Sequence, residues 1–139
     1  MRQINRLAQA LGKLLADLIG LKCGGQVGEI IETTNQALIN ELNIDIDGLI
    51  AIPAMDFLNF LLVGRKFNNE SLGKLADIFL FLADNSLYQK GDIVKRKQLY
   101  SKCLTILEYL DKTETTYMFD QNLKIDRIKK LLLQANQPL

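Results

Sequence analysis

Asn43, Asp45, Asp47 and Gly48, in the stretch NIDIDG, are spaced like the opening of a calcium loop, where alternate oxygens meet the ion and glycine makes the bend. Counting from Asn43 as the first ligand, the bidentate glutamate that must close such a loop falls on Ala54, with Pro53 beside it. The ligand set is unfinished, so the favoured reading is that Asp45 or Asp47 caps a short helix. The stretch GLKCGGQVG, beginning at Gly20, is rich in glycine but has no Lys-Ser/Thr after it. It also lies between helical patterns instead of behind a strand, which points to a tight turn and not to a phosphate cradle. Histidine is absent from the chain. That removes the commonest general base, the histidine-dependent nucleophile arrangements and the commonest metal ligand together. Cys23 and Cys103 stand too far apart for a metal knuckle and form no disulfide framework. Cys23 falls in the glycine turn and is expected to be partly exposed, and Cys103 reads as a small core residue. The remaining carboxylates and lysines form no recognisable cluster. The expectation is a non-enzymatic chain with no catalytic residue, cofactor or metal.

Composition agrees with a packed domain. The chain has 139 residues, 48% of them hydrophobic, and a mean hydropathy of +0.06, at the apolar end for a soluble domain. A net charge of +1 argues against a dedicated nucleic-acid or anionic-membrane binder. Residues 1–85 carry −3 and residues 86–139 carry +4, a mild asymmetry that solvated helix faces explain. Lys13 and Asp17 interrupt the N-terminal apolar stretch that a signal peptide would need. The longest clean apolar run, Ile78 to Ala83, is far short of the ~20 residues that cross a bilayer. A cytoplasmic location and no membrane partner are expected.

Apolar residues recur at helical spacing almost throughout, and no segment keeps a period of two. The spacing predicts a helix over 2–21, striped by Ile4, Leu7, Leu11, Leu14, Leu15 and Leu18, and stopped by glycines. A second, over 26–42, uses Val27, Ile30, Ile31, Leu38 and Leu42. A short apolar piece ends at Ile52, and Pro53 starts a helix over 53–63. Asn68 or Asn69 caps a helix over 70–89 that is apolar nearly all round and therefore expected at the centre. A fifth helix follows Gly91, striped by Ile93, Leu99, Tyr100, Cys103, Leu104, Leu107 and Leu110. A last one, over 119–135, carries Leu123, Ile128, Leu131 and Leu132.

Segments 25–41 and 91–107 share a skeleton of glycine, an apolar residue two places on, and a small residue with leucine near the end (Ala37-Leu38 and Cys103-Leu104). Antiparallel helices approach closely where a small side chain sits at the crossing, so Ala37 and Cys103 are the expected contact points. On these residues, with Gly91-Asp92 in the turn and Tyr100, Cys103 and Leu104 in the second helix, the sequence resembles tetratricopeptide hairpins. Arg96, Asp84 and the missing closing proline depart from that motif. LGKLADIFLFLADN and YMFDQNLKIDRIKKLL also resemble an uncharacterised bacterial domain-of-unknown-function family with such hairpins, which implies fold and not activity.

The expected architecture is one all-α domain over 1–139: tetratricopeptide-like antiparallel hairpins at 2–42 and 70–111, a two-helix insert at 43–63 and a C-terminal helix at 119–135. The expected function is protein–protein interaction or scaffolding with an unknown protein partner. The alternatives are a homo-oligomeric structural protein or a bundle that sequesters a small molecule or lipid. The polar stripe of the fourth helix, Lys74, Asp77, Asp84, Asn85 and Tyr88 around Phe81, is the candidate partner surface, with Phe81, Asn85 and Tyr88 as its contacts. The surplus of apolar side chains in the insert suggests a homodimer built on Phe57, Phe60 and Leu61.

Overall fold

The computed structural model describes residues 6–25, 30–84, 93–113 and 119–136, and every regular element among them is helical. In chain order these are α1 (Arg6–Cys23), α2 (Ile30–Leu42), α3 (Ile46–Ala51), α4 (Ala54–Asn59), a π-helical turn (Phe60–Gly64), α5 (Asn69–Asp84), α6 (Ile93–Thr113) and α7 (Phe119–Asn136). Ile4, Val27, Asn85, Leu87, Tyr88, Gly91 and Asp92, and the side chains of Ile31, Leu42 and Ile93, lie outside what is described.

Local chemistry sets the boundaries. Gly25 takes φ +81 just past α1, the left-handed conformation that closes a helix without a Cβ penalty. Asn43 at φ 57 plays that part after α2. Asp45 is the N-cap of α3, its Oδ1 accepting the Gly48 N–H at 2.7 Å, so NIDIDG is a cap. Asn35, from α2, accepts the Ile46 N–H at 2.8 Å and ties α3 to the preceding helix. Asn68 caps α5, its Oδ1 accepting both the N–H and the hydroxyl of Ser71 at 2.8 Å.

The helix expected over 53–63 does not stay α-helical. After Asn59 it widens into the π turn, with the Arg65 N–H reaching the Phe60 carbonyl at 3.0 Å and the Phe67 N–H the Leu61 carbonyl at 2.9 Å. Four consecutive apolar residues, Phe60 to Val63, cannot all face inward on one α-helical stripe. The wider turn places Leu61 and then Phe67 inside and leaves Val63 outside.

α5 is the centre, as its all-round apolar pattern requires: Leu72, Leu75, Ala76, Ile78, Phe79, Leu82 and Ala83 are buried. It packs most extensively on α6 and next on α1, while α7 covers α6. The contacts Asp84–Tyr100, Ala76–Cys103, Gly73–Leu110 and Asn69–Thr113 make α5 and α6 antiparallel. α1 runs with α5, because the Lys74 stem lies beside Gly12 and Phe81 beside Lys22. α3 and α4 lie across α6, and α2 rests on α1 and α3. Leu123, expected on the buried stripe of the last helix, is 51% exposed, and Ile125 takes the inward position with Ile128.

Candidate functional site

The polar stripe of α5 lies between α1 and α7. Lys74 and the half-buried Phe81 face α1, and the Lys22 ammonium stands 6.0 Å from the Phe81 ring centre. Asp77 and Asp84 face α7. Lys124 Nζ meets Asp77 Oδ1 at 3.0 Å, and Arg127 Nη2 meets Asp84 Oδ2 at 2.6 Å. The Tyr100 hydroxyl donates to the other Asp84 oxygen at 2.8 Å. Burial, with help from the Asp84 hydrogen bond and charge, pushes the Tyr100 phenol up to about 12. Of the expected partner contacts, Phe81 therefore packs against the core from α5, its neighbouring acids are engaged within the chain, and Asn85 and Tyr88 lie outside the described residues.

The expected self-interface is corrected more sharply. Phe57 and Leu61 are 0% exposed within a single chain and offer no surface to a second copy. Phe57 lies 6.3 Å from Phe79, ring centre to ring centre, beneath the Lys102 ammonium at 5.6 Å. Phe60 is half-buried, with the Arg65 guanidinium 5.2 Å over its ring. Much of the insert's apolar surplus is absorbed because α3 and α4 pack on α6, while Met55 and Val63 stay exposed.

Lys102 is itself buried, with no carboxylate at ion-pair distance among the described residues, and loss of hydration lowers its pKa. Cys103 is fully buried where α5 and α6 cross, its thiol donating to the Ala76 carbonyl at 3.2 Å. Burial first, and the Asp77 charge second, push this thiol up to about 12, so it is inert as a nucleophile at neutral pH. Cys23 is exposed and free.

An open groove of about 560 Å³ lies between α1 and α2. Ala10, Leu14 and Ala37 supply its apolar lining, and Lys13, Asp17, Glu32, Thr33, Gln36 and Asn40 its polar one. Ala37 is thus not the twin of Cys103: it is partly buried at the edge of a gap, where Cys103 is closed in. Sequence reasoning missed the groove. Its one local signal is a pair of alanines, one on each helix, where larger side chains would have filled the space.

Among the described residues no group of three or more acidic or cysteine side chains could hold a metal ion, and no helix is long and apolar enough to cross a membrane. Comparison with protein-family models, with curated proteins and with solved structures gives no match.

Proposed function

We propose that the chain is a non-catalytic protein–protein interaction module, and that its receptive surface is the groove between α1 and α2. The observation that carries this reading is the groove itself: open, apolar at Ala10, Leu14 and Ala37, and bordered by charged side chains on both helices and by amide and hydroxyl side chains of α2. Such a surface suits a peptide segment laid along it, with apolar side chains directed inward and its polar groups meeting Gln36, Asn40 and the three charges. An open groove of this kind does not enclose a small ligand, which disfavours the sequestering reading. The tetratricopeptide-like reading of the helices is kept as part of the proposal. It is supported by the antiparallel α5–α6 pair closed at Cys103 and by α1 running in the direction of α5. The two free thiols fit a reducing, cytoplasmic setting.

Filling the groove tests the reading. Ala37→Phe is expected to leave the melting temperature almost unchanged, because the new ring enters open space. Cys103→Phe, at the closed crossing, is expected to cost about 1–3 kcal/mol through overpacking. Ala37→Phe should also lose a protein that the wild-type chain captures from its own cell. Equal capture by both chains, or capture by neither, would count against the proposal.

A further inference from the structure

Four side chains on the outer face of α7 are exposed: Leu123, Asp126, Lys130 and Leu133. Their spacing is three, four and three residues. At about 100° per residue they lie within an arc of about 80°. That arc is opposite Ile125 and Ile128, which bury α7 against the rest of the chain. Leu123 and Leu133 are 51% and 65% exposed, and among the described residues neither Asp126 nor Lys130 has an ion-pair partner. α7 therefore carries a second stripe that its own fold leaves unused.

The stripe is complementary to itself. Two α7 helices set antiparallel and centred on Ile128 bring Leu123 opposite Leu133 of the second copy, and Asp126 opposite Lys130 of the second copy. The two-fold axis repeats both contacts, giving two leucine pairs at the ends and two ion pairs between them. This is the layering of an antiparallel pair of helices joined at alternating three- and four-residue steps. Reversing either charge would break the match. The flanking charges are also accounted for: Arg127 is held by Asp84 and Lys129 by Glu108, so neither stands uncompensated against the positive charges of a second copy.

We infer that the chain self-associates as a two-fold dimer through the outer face of α7, with a second copy of the same helix as the occupant. This holds whether or not the groove between α1 and α2 has a partner. The contact is small, so the dimer is weak and dependent on concentration.

Sedimentation velocity on the full chain, from about 10 µM to about 1 mM, reads the range in which small transient interfaces register. Wild type is expected to shift from monomer to dimer across that range. Asp126→Lys or Lys130→Asp alone should weaken association by about tenfold, because each turns two attractions into two repulsions. Carrying both changes in one chain restores the complement and should return association to within about threefold of wild type. An equimolar mixture of the two single variants should form a 1:1 heterodimer that neither homodimer matches, which native mass spectrometry resolves. All four positions are solvent-exposed, so the substitutions should leave the circular dichroism unchanged. Should a charge variant misfold, Leu123→Gln replaces it and should weaken association in the same assay. A wild-type monomer at every concentration, or dimers indifferent to all these substitutions, would overturn the inference.

Discussion

Phe57→Ala is expected to unfold the protein, not to dissociate it. The ring is fully buried against Phe79, from α5, and under the Lys102 ammonium of α6. Truncation leaves a cavity where α4 meets α6, and changes of this kind cost about 3–5 kcal/mol. It also strips Lys102 of the aromatic face that its ammonium rests on, where no described carboxylate stands at ion-pair distance. A loss of that size is a large share of the ~5–15 kcal/mol that hold a domain together. Urea denaturation followed by circular dichroism should therefore show the free energy of unfolding lowered by several kcal/mol relative to wild type, by the same amount at low and high protein concentration. A stable variant with a lower association state would show instead that Phe57 meets a second copy.

The second large effect is alkaline destabilisation centred on Cys103. Its thiol is pushed from an ordinary 9.0 up to about 12 in the folded chain, chiefly because the thiolate would lose its hydration at the α5–α6 crossing. The folded state therefore holds its proton more tightly than the unfolded state. Stability is intact below pH 9 and falls as pH rises from there toward 12, since only the unfolded chain releases the proton in that window. At pH 11 the thiol alone removes about 2–3 kcal/mol. Tyr100, raised from 10.0 to about 12 by burial and by Asp84, adds a loss of the same sign that begins one unit later. Comparing urea midpoints of wild type and Cys103→Ala at pH 8 and pH 11 separates the two groups. Wild type should lose more stability than the variant over that interval, and equal losses would show that the thiol is not buried at the crossing.

What the sequence made legible was what local spacing decides. An apolar pattern on every side of 70–89 leaves no face for water, and α5 is accordingly the centre. Asp45 and Asn68 could be read as caps because an oxygen three residues ahead of an amide suffices to close a helix start. The error at Leu123 was also local: five residues separate it from Ile128, about 140° around the helix, whereas Ile125 shares that face. The remaining misses came from packing between distant segments. The surplus of Phe57 and Leu61 looked like an interface because nothing nearby in sequence covers them, yet α6, some forty positions on, does. Ala37 and Cys103 occupy equivalent places in the repeated skeleton, but the distance between α1 and α2 leaves a groove at one and the closeness of α5 and α6 seals the other. No short-range pattern encodes a helix-to-helix distance.

A contact-reading experiment addresses the groove between α1 and α2 directly. A photoreactive phenylalanine analogue placed at Gln36, inside the groove, and separately at Glu70, exposed at the start of α5, would be activated in the native cell. A covalent adduct with a defined protein is expected from position 36, and none with that protein from position 70. No adduct at position 36, or the same adducts from both positions, would contradict the groove's role as the receptive surface.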